Sequence, residues 1–176
     1  MSIAEELYTA GYVTYPRTDN TVYPEDLDPE ELLGDFTDTS AFGEDAAALL
    51  NLDEIEPTRG DEETTDHPPI HPTGELPNRS ELDDDEWEVY ELVVRRFFAT
   101  VAEAATWEHL RVVADANGCQ LKANGKRLVE PGYHAVYPYS SASENFVPDV
   151  EEGAELSVSN VELEAKQTQP PRRYGQ

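Results

Sequence analysis

The chain has 176 residues, 38% apolar and 28% charged, enough to bury a core and too apolar for wholesale disorder; its single cysteine, Cys119, excludes an internal disulfide. Its 38 Asp and Glu against 12 Lys and Arg give a net charge of −26, with 20 acids and three bases in residues 1–80 and 18 and nine in residues 81–176. That balance disfavours phosphate binding at ordinary salt, which needs Lys and Arg. It suits concentrated salt, where the Debye length falls to about 3 Å and carboxylate repulsion is screened. With no apolar run of about 18 residues and no charged-then-apolar leader, the expectation is a halophilic, cytoplasmic protein that does not enter a membrane.

In chain order, Ser2 and Glu5 form a capping-box pattern opening a short helix on Ile3, Leu7 and Ala10, with Gly11 placed to end it. Tyr12 to Tyr15 is β-branched and aromatic and predicts a brief strand, and Pro16 biases Tyr15 away from helix. Asp28-Pro29-Glu30-Glu31 predicts a capped helix through Leu32 and Leu33, and another is expected over 41–50. Residues 53–79 hold five prolines and an acidic cluster without periodicity, so they predict a long surface loop of functional weight.

The strongest helix starts at Ser80 or Asp83, because Trp87, Tyr90, Val94, Phe97, Val101 and Ala105 recur at helical spacing and Glu91 pairs with Arg95 at i,i+4. After Trp107 the period changes to two. Asn117-Gly118 and Asn124-Gly125 both read as primed hairpin turns, and a further strand is expected over 155–164. The switch near residue 105 is the expected domain boundary.

Tyr15 and Arg17 are two apart, so in extended backbone a phenol and a guanidinium project to one face. A tyrosine attacking a phosphodiester needs its developing anion stabilised, and a nearby Arg can do this while neutralising the phosphate. The spacing alone also fits a packed aromatic beside a surface base. His67 and His71 are four apart, but two prolines between them exclude the regular helix a zinc pair would use, so no metal site is expected there. Trp87, Tyr90, Phe97 and Phe98 read as core. Tyr133, Tyr137 and Tyr139 read as strand packing rather than base-stacking platforms.

The run AEELYTAGYVTYPRTD, residues 4–19, resembles the active-site segment of type IA DNA topoisomerases, with Ala4, Leu7, Tyr8, Gly11, Tyr12, Thr14, Tyr15, Arg17, Thr18 and Asp19 matching. The resemblance recurs in order at Asp66 to Thr73, at Val93 to Ala99 and at Pro170-Pro171-Arg172-Arg173-Tyr174, and so spans nearly the whole chain. It implies that Tyr15 is the nucleophile forming a 5′-phosphotyrosyl link, that Arg17 holds the scissile phosphate and that His67 lies beside it. It further implies that Tyr12, Thr14, Thr18 and Asp19 shape the site, and that Arg95 braces it or meets the DNA backbone; Arg172 and Arg173 read either as phosphate contacts or as ordinary surface charge. His71 is not carried over.

The expected fold is α+β. Residues 1–104 would form a mostly helical, winged-helix-like catalytic domain with the loop 53–79, and residues 105–176 the β-rich portion of the arch, or gate, domain. The resemblance implies magnesium as cofactor, held by a Toprim-type domain of the parent chain that is absent here. The chain then reads as a central, monomeric fragment, inactive alone, whose partners are single-stranded DNA and the parent's remaining domains. A nucleoid-associated location is implied with them. The alternative is a non-catalytic acidic binding module in which the tyrosine segment is structural.

Overall fold

The structure, a computed structural model, describes residues 2–168 and is α+β: four α-helices and one two-stranded antiparallel sheet. Helix α1 (Ile3–Thr9) is opened by the reciprocal Ser2–Glu5 capping box. Helix α2 (Pro29–Phe36) is capped by Asp28, whose carboxylate accepts from Glu30 and Glu31 N–H at 3.0 Å each, with Pro29 at the first helical position. Helix α3 (Gly43–Leu49) is shorter than the expected 41–50. Helix α4 (Asp84–Val101) starts at the Asp83–Glu86 capping box, with both reciprocal bonds at 2.8 Å.

The apolar stripe of α4 forms the core. Tyr90, Val94, Phe97, Phe98 and Val101 are buried against Leu7, Leu33, Phe36, Phe42 and Ala46. Edge-to-face contacts of Phe36 with Phe42 and Phe98, at 5.7 and 5.5 Å between ring centroids, lock α2, α3 and α4 together. Arg95 ties this body to the chain that leaves the hairpin. Its guanidinium donates to Asp45 of α3 at 2.9 Å, to Glu91 at 2.6 Å and to the Val136 carbonyl at 3.3 Å.

Beyond the body, β1 (Thr106–Ala116) and β2 (Cys119–Glu130) pair along their whole length as a hairpin. Asn117 and Gly118 both take positive φ, 54° and 86°, as a two-residue primed turn requires. The second expected turn is not one. Asn124 and Gly125 lie inside β2 opposite Arg111 and Leu110, because the turn at 117–118 already sets the register. Gly125 serves close approach instead: a Cβ there would stand 3.1 Å from the Val147 side chain in the strap 144–147, which is bonded to β2 through Lys126 and Asn145 at 2.9 Å in each direction.

Two other expected strands are corrected. Residues 12–15 make a single antiparallel bridge, Val13 to Pro72, and no strand. Residues 155–164 carry no strand either, and Leu156, Val158, Val161 and Leu163 are exposed. At 155–164 apolar alternation supplies a face but no partner edge, and at 12–15 the partner is a proline-rich segment that cannot extend a ladder. The Pro170 to Tyr174 motif, with Arg172 and Arg173, lies outside the described residues.

The hairpin joins the body where Tyr133 N–H donates to the Glu103 carbonyl at 2.9 Å, in a short 3-10 turn (Gly132–Ala135). Gly132 sits at φ +49°, and a Cβ there would lie 2.5 Å from the Glu103 oxygen. Gly132→Ala is therefore expected to cost about 1–3 kcal/mol, read as a lower midpoint in denaturant unfolding; an unchanged midpoint would mean the junction relaxes freely.

Candidate active site

Helix α1 delivers the chain to the site through a Schellman ending: Tyr12 N–H donates to the Leu7 carbonyl and Gly11 N–H to the Tyr8 carbonyl, both at 3.0 Å, with Gly11 at φ +87°. Only a residue without Cβ takes that conformation at little cost. The turn sends residues 12–20 across the body, where the proline-rich segment meets them.

That segment lacks regular structure up to Arg79, as expected, but is bonded to the tyrosine segment along much of its length. Thr14 N–H donates to the His71 carbonyl at 3.0 Å, and Thr73 N–H to the Tyr12 carbonyl at 3.2 Å. The Thr14 hydroxyl accepts from His71 N–H at 3.0 Å and donates to the Pro69 carbonyl at 3.2 Å. Further along, the Thr18 hydroxyl donates to the His67 carbonyl at 3.2 Å, and the Asn20 amide donates to the Thr64 and His67 carbonyls at 3.0 Å each. Thr21 closes the seam on Gly60 and Glu62.

The seam places His67 on Tyr15, with ring centroids 4.4 Å apart and tilted by 45°. Tyr8 of α1 meets the Tyr15 ring edge-on at 5.3 Å. Arg17 turns back to the same helix and pairs through Nη2 with Glu5 Oε1, its side chain 72% exposed. The Glu5 carboxyl is held below its usual range, first by the Ser2 backbone N–H and then by Arg17. A cleft of about 430 Å³ opens beside His67, lined by Asn20, Tyr23, Arg59, Glu63 and Thr64 among others.

Tyr15 and His67 are thus in contact, half-buried and exposed respectively, while the exposed Arg17 is held on Glu5, about one turn from Tyr8 along α1. The other expected residues are placed differently. Thr14 and Thr18 clasp the loop. Tyr12 packs behind the site against Tyr90 at 6.2 Å and donates to Glu81 at 3.5 Å, and burial followed by the Glu81 charge raises its pKa. Asp19 is exposed to solvent. Arg95 stands apart from Tyr15 as the brace between α3, α4 and Val136. Among the described residues no group of three or more His, Cys, Asp or Glu is arranged to hold a metal ion.

Two contributors carry little signal in the sequence. Asn20 is the main clasp of the loop, and only its position after Thr18-Asp19, in a non-helical stretch where an amide can bond to backbone, hints at it. Glu5 shows there only as a helix cap.

The sequence profile of the DNA topoisomerase family matches residues 1–176. The chain belongs to the type IA DNA topoisomerase family. Over 174 residues it is 49% identical to DNA topoisomerase 1 of Archaeoglobus fulgidus, covering 99% of this chain and 26% of that protein. It is 34% identical over 175 residues to DNA topoisomerase 1 of Methanothermobacter thermautotrophicus, covering 99% of this chain and 24% of the relative. With DNA topoisomerase 3-alpha of Homo sapiens the identity is 35% over 172 residues, covering 98% of this chain and 17% of the relative. The chain spans about a quarter or less of the length of these topoisomerases.

In this topoisomerase segment His71, unlike His67, is buried. Its Nδ1 lies 2.7 Å from the Pro72 carbonyl and its ring packs near Tyr23 and Phe97, at 5.8 and 6.3 Å between centroids. Nδ1 therefore carries the proton and donates, and burial keeps the ring neutral by lowering its pKa from the ordinary 6.5. The unfolded chain then binds a proton at higher pH than the folded one, so stability from this group is complete above about pH 6.5 and is lost as pH falls towards the folded pKa. Denaturant midpoints measured downward from pH 7 are expected to fall more steeply in the natural chain than in His71→Asn; parallel curves would remove His71 from the pH response. Thr14→Val keeps shape but strands the Pro69 carbonyl and the His71 N–H. It is expected to cost about 1–3 kcal/mol and to speed hydrogen exchange at residues 67–73; unchanged exchange there would show that the hydroxyl does not hold the loop.

Proposed function

We propose that this chain is the tyrosine-bearing portion of an enzyme that cuts and reseals one DNA strand to change DNA topology. The placement of His67 on the Tyr15 ring, with Arg17 two residues on, carries this reading. The Tyr15 phenol gives up its proton as its oxygen attacks the scissile phosphorus, the bond to the 3′ oxygen breaks, and that oxygen takes up a proton and leaves as a 3′-hydroxyl. The product is a 5′-phosphotyrosyl link. A phenol with a pKa of about 10 is a fair leaving group, so the 3′-hydroxyl can attack in turn and restore the strand.

Arg17 supplies charge to the phosphate as negative charge builds on its oxygens, and its exposed guanidinium has donors left over after its single bond to Glu5. His67, in contact with the Tyr15 ring, would donate a hydrogen bond at the same phosphate. Thr14, Thr18 and Tyr12 act by holding the backbone that carries these groups. Asp19 and Arg173 are candidates for shaping the site or for meeting the DNA backbone, while Arg95 acts as the brace of the helical body.

On this reading the helical body is the winged-helix-like catalytic domain, residues 1–104, and the hairpin begins the arch, residues 105–176, which parts to let another strand through. Magnesium, held by a Toprim-type domain elsewhere in the parent chain, would offset phosphate charge when bound. No cluster of acids among the described residues fits it. The 176-residue chain alone, as a monomer, is expected not to relax DNA, and its partners on this reading are single-stranded DNA and the parent's other domains. The acidic surface fits an enzyme of a salt-rich cytoplasm, working at the nucleoid.

In the full-length enzyme, Tyr15→Phe is expected to abolish the covalent protein–DNA complex while single-stranded oligonucleotide binding persists. Retention of the complex would move the nucleophile to another residue.

A further inference from the structure

Glu5 uses its two carboxylate oxygens separately: Oε2 accepts the Ser2 N–H at 3.2 Å, closing the cap of α1, and Oε1 holds Nη2 of Arg17. The cap fixes the carboxylate, and the carboxylate fixes a guanidinium whose side chain is 72% exposed. Arg17 is thus presented to solvent already aimed and already neutralised. An exposed pair of this kind is worth little net free energy and so yields readily to a competing anion.

From this geometry we infer that Glu5 is a positioning residue that pre-pairs Arg17 for phosphate, so that DNA binding at this point exchanges one oxyanion for another. The inference rests on Arg17 being the phosphate holder. Its consequence lies in salt dependence. An unpaired arginine that neutralises one phosphate of single-stranded DNA adds about 0.7 to the slope of log K against log salt, by releasing a condensed cation. When the arginine leaves a carboxylate to do so, that carboxylate gathers cations back and the net release shrinks. Arg17 then contributes affinity that salt erodes little, which suits a chain of net charge −26.

The test is anisotropy of a short labelled single-stranded oligonucleotide against the full-length enzyme over a salt series. The variants are Glu5→Gln, Arg17→Ala and, as a control for lost negative charge, Glu164→Gln, which breaks the exposed Lys166 pair. Glutamine still serves the capping box, so helix α1 is retained. Glu5→Gln is expected to bind severalfold tighter at low salt, to converge with the natural chain at high salt, and to steepen the slope by a fraction of the about 0.7 that one phosphate contributes. A Glu5→Gln series that overlays Glu164→Gln would overturn the inference. If Arg17→Ala leaves affinity and slope as they are in the natural chain, Arg17 is not the phosphate holder, and both that role and the inference fall.

Discussion

The site depends on the seam of hydrogen bonds between residues 11–21 and residues 60–73. Neither segment has regular structure, so neither can satisfy its own backbone; each supplies the other's partners. The Thr14 hydroxyl is the pivot, accepting from His71 N–H and donating to the Pro69 carbonyl while the Thr14 N–H reaches the His71 carbonyl. Prolines suit this arrangement, since a residue without an N–H has only an acceptor to place and a restricted φ reduces the entropy lost on ordering. The contact of His67 with Tyr15 and the cleft beside it both result from the seam. The core serves the seam from below, with Val13, His71 and Pro72 buried on the same aromatic layer as Phe97 and Tyr23.

Charge works at two scales. Globally the chain is strongly acidic, yet Arg17, Arg59, Arg79, Arg95 and Arg127 each lie against a carboxylate. The half-buried Arg95 pairs are structural: its side chain is 16% exposed, and it links α3, α4 and the chain leaving the hairpin. The Arg17 pair is the opposite case, open to solvent at the edge of the site. Exposure separates a brace from a group that can change partners.

Much of this was legible in the sequence because its signals are local. The capping boxes at Ser2 and Asp83, the proline at the start of α2, the stripe of α4 and the turn at Asn117-Gly118 each depend on residues within one or two turns of one another. Tyr15, Arg17 and His67 were legible through the motif. The failures share a cause: Asn124-Gly125 and residues 155–164 carry the right residue types, but whether they turn or pair is decided by register and by a partner edge, both non-local. The strand expected at 12–15 became a single bridge because its partner is a proline-rich segment unable to extend a ladder. Asn20 and the second role of Glu5 were invisible for the same reason, since their partners lie 44 and 47 residues away for Asn20 and 12 for Glu5.

The most direct test of the seam's consequence is the nuclear Overhauser effect between the ring protons of His67 and Tyr15 in a sample labelled at histidine and tyrosine. Cross-peaks between the two rings, with further cross-peaks from Tyr15 to Tyr8, are the expected result. A His67 ring that shows none to Tyr15 while Tyr15 keeps those to Tyr8 would contradict the placement of His67 in the site.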